Sequence, residues 1–212
     1  MGYDSIVYGQ KSYNGVAILS KHPMTDVLYG LPNHMNIVDE QSRYIEATIL
    51  NKRVCCLYLP NGNPVSNEDK FNFKLSWMDR LGKHIKKTLL PMEIPLIIGG
   101  DFNVIPTDTD CLDPAQWVGD AATVAPVRKR FRAFQNLGLT EIFTALNPNT
   151  PHAYTFWDYQ RGAWQKNDGI RIDFFLCNGL ATDMANECWV DKNPRKKEKA
   201  SDHTPLILEL KR

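Results

Sequence analysis

Acidic residues stand at the ends of apolar runs, or inside them, at three places in this chain. Asp101 follows P-L-I-I-G-G, Asp173 lies within R-I-D-F-F-L, and Asp202 precedes His203 in S-D-H-T-P. Asn103 comes two residues after Asp101, so an acid and an amide leave the same run. A carboxylate can accept a proton from water, and an amide can donate to an anionic oxygen without adding charge. Asp and Asn after a strand are also turn formers and helix caps, so for this stretch alone both interpretations stay open.

The acid at position 173 needs a partner, because an unpaired carboxylate inside an apolar strand is costly. Asp173 is followed directly by Phe174, Phe175 and Leu176. A histidine is a natural partner for such an acid. We therefore predict a pair between Asp173 and His203.

The elements that must position these residues are predicted as strands and helices. The apolar run 96–98 predicts a buried strand, and Gly99 and Gly100 predict a sharp turn that delivers Asp101 at its carboxyl end. Sheets of α/β proteins tend to place their chemistry at that edge. Apolar residues spaced by three or four predict helices within 66–90 and 127–137. Further strands are predicted at 15–20, 43–50, 53–59, 154–159, 171–177, 188–190 and 205–210.

Composition bounds the class of protein. The chain has 212 residues, 43% of them apolar, a net charge of +1 and a pI of about 7.6. This is enough for one domain, 1–212, and any surface for nucleic acid has to be a local patch. The five cysteines are odd in number and form no C-x-x-C pair, which argues against a disulfide framework or a zinc ribbon. Apolar stretches such as 54–59 are too short to span a membrane, and we expect a cytoplasmic protein.

Seven short segments follow one another in order along the chain. They are G-Q-K-S-Y-N-G-V-A-I-L-S (9–20), S-R-Y-I-E-A (42–47), Y-L-P-N-G (58–62), G-D-F-N (100–103), Y-T-F-W-D-Y (154–159), G-I-R-I-D-F-F-L (169–176) and S-D-H-T-P (201–205). Together they resemble the exonuclease III family of abasic-site endonucleases, within the endonuclease/exonuclease/phosphatase superfamily. The resemblance implies an α/β fold, a four-layered α/β/β/α sandwich of two mixed sheets. The S-D-H ending alone would also fit sphingomyelinases or inositol phosphatases.

The resemblance also implies roles for the acidic and amide residues. Asp101 would orient or deprotonate the attacking water, and Asn103 would hydrogen-bond the scissile phosphate. His203, held by Asp173, would stabilise the negative charge that develops on phosphorus. Asp202 would bind the divalent cation, Mg²⁺ or Mn²⁺, directly or through water.

Substrate contacts are implied in the same way. Tyr58 and Asn61 would reach the phosphate from a facing loop, and Arg43 and Arg171 would contact the DNA. The run 195–199 carries four basic residues, and we favour a solvated loop over a phosphate-binding patch there.

A small apolar pocket for a flipped, base-free sugar is implied at Phe156, Ile170 and Ile172. Without the motifs around them, these three residues would be interpreted as ordinary core. Tyr13 and Asn14 would touch the minor groove or simply form a turn.

One unit of the family finds no match in the sequence. The family begins with a strand–helix–strand that carries W-N and then a metal-binding glutamate, and no W-N or Q-E segment stands in for it. We therefore expect a domain that is incomplete at its amino terminus, less stable than its homologues, and weakly active or inactive on its own.

The function predicted from these observations is a metal-dependent DNA-repair phosphodiesterase. It would hydrolyse double-stranded DNA at abasic sites, at 3′ ends or at both, in base excision repair, as a monomer acting on nucleoid DNA. Two alternatives stay open. One is an inactive remnant that still binds DNA, and the other is a phosphodiesterase for a small phosphorylated substrate or lipid.

Overall fold

The computed structural model describes residues 2–32 and 39–211. Ten strands and five helices occur in the described part. The strands are β1 (Asp4–Gly9), β2 (Gly15–Ser20), β3 (Met24–Tyr29), β4 (Tyr44–Ile49), β5 (Lys52–Tyr58), β6 (Leu96–Asp101), β7 (Thr140–Glu141), β8 (Asp173–Cys177), β9 (Ala185–Val190) and β10 (Leu206–Leu210). The helices are α1 (Glu68–His84), α2 (Ala125–Asn136), α3 (Ile142–Leu146), α4 (Ala163–Lys166) and α5 (Gly179–Met184).

A six-stranded mixed sheet forms the centre of the fold. Its strand order is β3-β4-β5-β6-β8-β7; β5 and β6 run parallel, and the other neighbours run antiparallel. Two further antiparallel pairs, β1 with β2 and β9 with β10, form separate two-stranded sheets. The first of these packs its residues Val16 and Ile18 against Ile45 and Ala47 of β4.

The main core lies between the central sheet and the two long helices. The alternating burial of β5 turns every second side chain towards this core, as expected for a strand with two different faces. Residues from α1 and α2 pack there against the strands; they include Trp77, Met78, Leu81, Val127, Phe131 and Phe134 against Leu57, Ile98, Phe174 and Leu176. A smaller cluster around Cys177 and Cys188 joins β8 to the pair β9–β10.

Helix α1 begins at a sequence-coded cap. The side chain of Asn67 accepts a hydrogen bond from the backbone N–H of Lys70, which satisfies one of the free donors of the first turn. The helix continues beyond His84 as a wider turn over Ile85–Leu89. The apolar spacing between 66 and 90 therefore predicts the location of this helix well.

The double glycine does not form the turn that the sequence predicts. Strand β6 runs through Gly99 and Gly100 to Asp101, and a Cβ on Gly100 would lie 2.0 Å from the carbonyl oxygen of Leu57 on β5. A Cβ on Gly99 would lie 2.7 Å from the ring of Phe175. The glycines are therefore needed for close approach of neighbouring strands, and the sharp turn comes later, at Asn103, whose φ is 47°.

The predicted strand at 154–159 is also wrong. Phe156 makes only isolated bridges, one to Ile170 and one to His203, and strand β8 begins at Asp173 rather than at 171. Contacts with two different segments hold this stretch extended. The local sequence does not distinguish such an isolated extended segment from a strand of a sheet.

The α/β fold with mixed sheets and flanking helices is confirmed. It differs from the expected sandwich in one respect, since the second layer in the described residues consists of two antiparallel strand pairs that are not paired with each other. No helix in the described part of the chain has the length and apolar character needed to cross a membrane.

Candidate active site

Strand register brings three predicted residues side by side. In the central sheet, Tyr58 at the end of β5 is opposite Asp101 on β6, and Asp101 is opposite Asp173 on β8. Three neighbouring strands thus place one functional candidate each at the same edge. A register slip of one residue would turn Asp101 to the opposite face of the sheet.

The acid and the amide of G-D-F-N contact each other directly. The backbone N–H of Asn103 donates to Asp101 Oδ1 at 2.7 Å, and Asn103 Nδ2 donates to Asp101 Oδ2 at 3.0 Å. Asn103 Nδ2 also donates to the carbonyl oxygen of Leu59 at 2.8 Å. The left-handed turn at Asn103 makes these bonds possible because it folds the side chain back onto the strand end.

The surroundings of Asp101 make its carboxyl group a weak acid. Burial disfavours the charged form and, with the charge of Asp173, raises the pKa of Asp101 to about 7. His203, the backbone N–H of Asn103 and Lys74 oppose this rise. A carboxylate with such a pKa can take and release a proton near neutral pH.

Asp173 and His203 form the pair that the sequence predicts. His203 Nδ1 lies 2.8 Å from Asp173 Oδ2. Burial lowers the pKa of His203, but the hydrogen bond and charge of Asp173, with Asp101 and Asp202, outweigh it and raise the pKa to about 9. The imidazole is therefore cationic at neutral pH and can stabilise an anion. The Oγ1 of Thr155 accepts from the backbone N–H of Asp173 and fixes the start of β8.

A second amide reaches the same place from the loop after β5. Asn61 Nδ2 donates to Asn103 Oδ1 at 3.2 Å, and Asn61 Oδ1 accepts from the backbone N–H of Asn63. The side chain of Asn61 is exposed. Asn61 and Asn103 thus present two amides within hydrogen-bonding distance of each other.

Tyr58 and Arg43 lie together beside this loop. The guanidinium of Arg43 stands over the ring of Tyr58, 4.8 Å from its centre, and Arg43 Nη1 donates to the Tyr58 carbonyl at 3.2 Å. Gln41 links them to the first hairpin, because its Oε1 accepts from Arg43 Nε and from Asn14 Nδ2. Asn14 has a φ of 71°, which is typical of a turn residue. Its contact with the minor groove stays a prediction. Tyr13 is 83% exposed beside it.

An apolar cavity of about 310 Å³ lies next to the histidine. Phe156, Ile170 and Trp117 line it, and the rings of Phe156 and His203 are 5.0 Å apart. Ile172 belongs to the same buried cluster but does not line the cavity. Polar side chains also line the cavity, namely Gln116, Asp158, Gln160, Arg161 and Asp168.

Arg171 occupies a different environment from the other candidates. Its side chain is buried, with Nε 2.8 Å from Asp110 Oδ1 and Nη1 2.9 Å from Glu141 Oε2. The guanidinium also stacks on Phe143 and Phe174. These contacts hold the segment around Asp110 against the sheet, and a direct contact of Arg171 with DNA stays a prediction. A groove of about 860 Å³ adjoins Arg171, but Asp101 and His203 do not line it.

Asp202 is the predicted metal ligand. Its carboxylate is half-buried and accepts from Ser201 Oγ at 3.3 Å, and its carbonyl accepts from the backbone N–H of Trp157. Within residues 2–32 and 39–211 no group of three or more His, Cys, Asp or Glu side chains is arranged to hold a metal ion. The described residues therefore fit an open, water-rich site with fewer than three such protein ligands, and not a closed cage.

Two residues beside the candidates are not among those that the sequence singled out. Trp117 adds a wall to the cavity, and nothing in its local sequence distinguishes it from a core tryptophan. Lys74 is buried behind Asn61 and Asn103. A signal existed for Lys74, because it falls on the apolar stripe of α1 between Phe71 and Met78, where a lysine is unusual.

Comparisons with known proteins show the family. Residues 2–203 match the model of the Endonuclease/Exonuclease/phosphatase family. Exodeoxyribonuclease III of Haemophilus influenzae is 28% identical over 221 residues, covering 100% of this chain and 82% of that protein. An exodeoxyribonuclease of Bacillus subtilis is 28% identical over 199 residues, covering 94% and 75%.

Solved structures show the same fold. NExo, a 3′ phosphatase from Neisseria bound to product DNA hairpin, matches with a TM-score of 0.92 and 33% identity, covering 99% of this chain and 79% of that chain. An AP endonuclease from Archaeoglobus fulgidus matches with a TM-score of 0.91 and 32% identity, with the same coverage.

The strand-end acids, the paired amides and the aspartate–histidine pair lie together at one edge of a mixed sheet in an α/β fold. The chain belongs to the Endonuclease/Exonuclease/phosphatase family. This family generally depends on a divalent metal.

Proposed function

We propose that this chain is a DNA-repair phosphodiesterase that hydrolyses the backbone of double-stranded DNA at abasic sites, at 3′ ends or at both. The observation that carries the proposal is the meeting of Asp101–Asn103 with Asp173–His203 beside an apolar cavity. The relatives named above act on DNA or carry exodeoxyribonuclease names, which supports the same substrate class.

Asp101 acts as the general base in this proposal. Water attacks phosphorus through its oxygen, and Asp101 takes the proton of the attacking water. The ester P–O bond on the opposite side breaks, and the leaving sugar oxygen keeps its electron pair and takes a proton from solvent. The pKa of about 7 suits this step because the carboxylate is then basic enough to accept a proton and still largely charged at slightly alkaline pH.

The remaining polar residues bind the phosphate. Asn61 donates its second Nδ2 hydrogen to a non-bridging oxygen, and Asn103 donates there by exchanging its Nδ2 bond to Asp101 for one to the phosphate. The cationic imidazole of His203 stabilises the charge that develops on these oxygens. Asp173 orients that imidazole. Tyr58 and Arg43 hold the phosphate and the neighbouring backbone from the side of β5.

The apolar cavity selects the nucleotide. A sugar without a base fits between Phe156, Ile170 and Trp117, with Ile172 behind them, and it costs less to extrude because it has no base stacking to lose. Tyr13 and Asn14 at the tip of the first hairpin contact the minor groove. Arg171 contributes by holding the segment that leads into β8 against Asp110.

Asp202 would hold a divalent cation, Mg²⁺ or Mn²⁺, in an open site completed by water. When bound, it would neutralise phosphate charge. In this proposal the protein is a monomer, and it works in the cytoplasm on nucleoid DNA as part of base excision repair.

The decisive test replaces Asp101 by asparagine, which keeps the shape of the side chain and removes the base. We expect Asp101→Asn to lower the cleavage rate of a duplex with one abasic site by about 10²-fold or more, with the DNA Kd unchanged. Cleavage is followed on denaturing gels with Mg²⁺ present, and binding by fluorescence anisotropy.

Asp69→Asn is the matched control because Asp69 is exposed in the first turn of α1. Cleavage by Asp101→Asn at the parent rate would disprove the role of Asp101. A parent chain that binds abasic DNA but never cuts it would show a DNA-binding remnant. Hydrolysis of small phosphodiesters or lipid headgroups, without cleavage of DNA, would show instead a phosphodiesterase for a small phosphorylated substrate or lipid.

A further inference from the structure

Lys74 on α1 lies behind the two amides of the candidate site. Its side chain is completely buried. Its Nζ donates to the carbonyl oxygen of Asn61 at 3.0 Å and to the carbonyl oxygen of Asn103 at 2.7 Å. One ammonium group therefore joins the loop after β5 to the turn after β6.

The loop after β5 is shaped around this lysine. Gly62 has a φ of 80°, and a Cβ at Gly62 would lie 2.6 Å from Cδ of Lys74. The stem of Lys74 thus fills the space that a side chain at position 62 would need. The loop, the glycine and the lysine fit one another as a unit.

The turn at Asn103 is also held from outside. Asn103 is in the left-handed region with φ 47°, which asparagine adopts more readily than most residues other than glycine because its short side chain can bond locally. The hydrogen bond from Lys74 to the carbonyl oxygen of Asn103 stabilises this backbone turn. The same backbone conformation allows the hydrogen bonds from Asn103 to Asp101. Burial lowers the pKa of Lys74 to about 7, and the charges of Asp120 and Asp101 oppose this lowering.

We propose that Lys74 is a positioning residue that sets the distance between Asn61 and Asn103 and so aligns both amides with the substrate anion. This inference rests on the proposed function for its kinetic consequence. Lys74 is behind the amides and does not touch the substrate. A displacement of these amides of about 1 Å is enough to cost a large factor in rate.

The kinetic arm uses Lys74→Met, which keeps the length of the side chain and removes its donors. We expect kcat on abasic duplex DNA to fall at least ~10-fold, with KM within about threefold of the parent value. Lys74→Arg retains donors and should recover part of kcat. Lys87→Met is the matched control, because Lys87 is exposed on the turn that continues α1 and should leave kcat unchanged.

Melting temperature separates positioning from folding. A lysine that only stabilises the fold would lower Tm in Lys74→Met and leave kcat of the folded protein at the parent value, which would overturn the inference. Kinetics are therefore measured at a temperature where all variants are folded.

A second arm needs no catalysis. Side-chain amide NMR signals of Asn61 and Asn103, assigned from Asn61→Asp and Asn103→Asp variants, should both shift in Lys74→Met and stay in place in Lys87→Met. Unchanged signals in Lys74→Met overturn the inference. If the parent chain cuts no DNA, the proposed function fails, and the NMR result alone decides whether Lys74 sets the amide geometry.

Discussion

At the scale of single residues, the environment of Asp101 raises the pKa of an ordinary carboxyl group into the neutral range. Burial and the neighbouring charge of Asp173 raise its pKa, while Asn103 satisfies both of its oxygens. The pKa of His203 is raised as well, but there the hydrogen bond and charge of Asp173 favour the charged form, so the imidazole is cationic at neutral pH. Asp101 and His203 thus favour different charge states at neutral pH, and Asp173 contributes to the shift of both.

The raised pKa of Asp101 predicts the pH dependence of cleavage. Only the charged carboxylate accepts a proton, so kcat/KM should rise with pH and level off above the pKa of about 7. It should fall again above about pH 9, where His203 loses its proton. The measurement is the initial rate on abasic duplex at constant ionic strength and saturating metal. A rate that is constant from about pH 5 to about pH 8 would exclude Asp101 as the base. The Asp69→Asn control should show the parent profile.

At the scale of elements, the site depends on how closely β5 and β6 approach each other. Gly100 has a φ of 139° and lies against the backbone of Leu57. The parallel register that this contact allows places Tyr58 opposite Asp101. The sequence predicts the strand but assigns its glycines to a turn, because a close contact with a distant strand leaves no local signal.

We predict that Gly100→Ala destabilises the protein by about 3 kcal/mol or more, since its Cβ would collide with backbone and its φ is unfavourable for alanine. Urea unfolding measures the loss. Gly179→Ala, at the first residue of α5 with no atom within 4 Å of the new Cβ, is the control and should change stability by less than about 1 kcal/mol. Equal stability of both variants would show that the strands separate at little cost.

At the scale of the whole molecule, a buried polar cluster joins the sheet to helix α1. Glu46 on β4 accepts hydrogen bonds from Tyr44 and from Arg53, the latter at 2.5 Å, and pairs with His84 at 3.1 Å. Burial raises the pKa of Glu46, but the bonds from His84, Tyr44 and Arg53 outweigh it and lower the pKa to about 2. The charged form of Glu46 is therefore favoured by folding.

This cluster predicts loss of stability in acid. Because the pKa of Glu46 is about 2 in the folded protein against 4.5 for the free side chain, its contribution is complete above pH 4.5 and disappears as the pH falls towards 2. The contribution is up to about 3 kcal/mol. Free energies of unfolding measured across this range should show a slope that Glu46→Gln largely removes. The same change at exposed Glu93 should leave the slope intact, and an unaltered slope in Glu46→Gln would contradict the prediction.

Residue patterns alone were sufficient to predict the class of fold, the location of helix α1 and the residues whose side chains could take part in catalysis. Periodicity and motif order are properties of the linear chain, so Asp101, Asn103, Asp173 and His203 stand out in the sequence itself. The need of a buried acid for a partner was likewise enough to predict the pair between Asp173 and His203.

Tertiary contacts were needed for the register that aligns three strand ends, the burial of Arg171 between Asp110 and Glu141, and the contact of Lys74 with two loops. They also replace the predicted turn at Gly100 by a close strand contact. These features join residues that are far apart in sequence. The free energy of these contacts depends on which segments pack together in the folded chain, and local residue patterns carry no information about that packing.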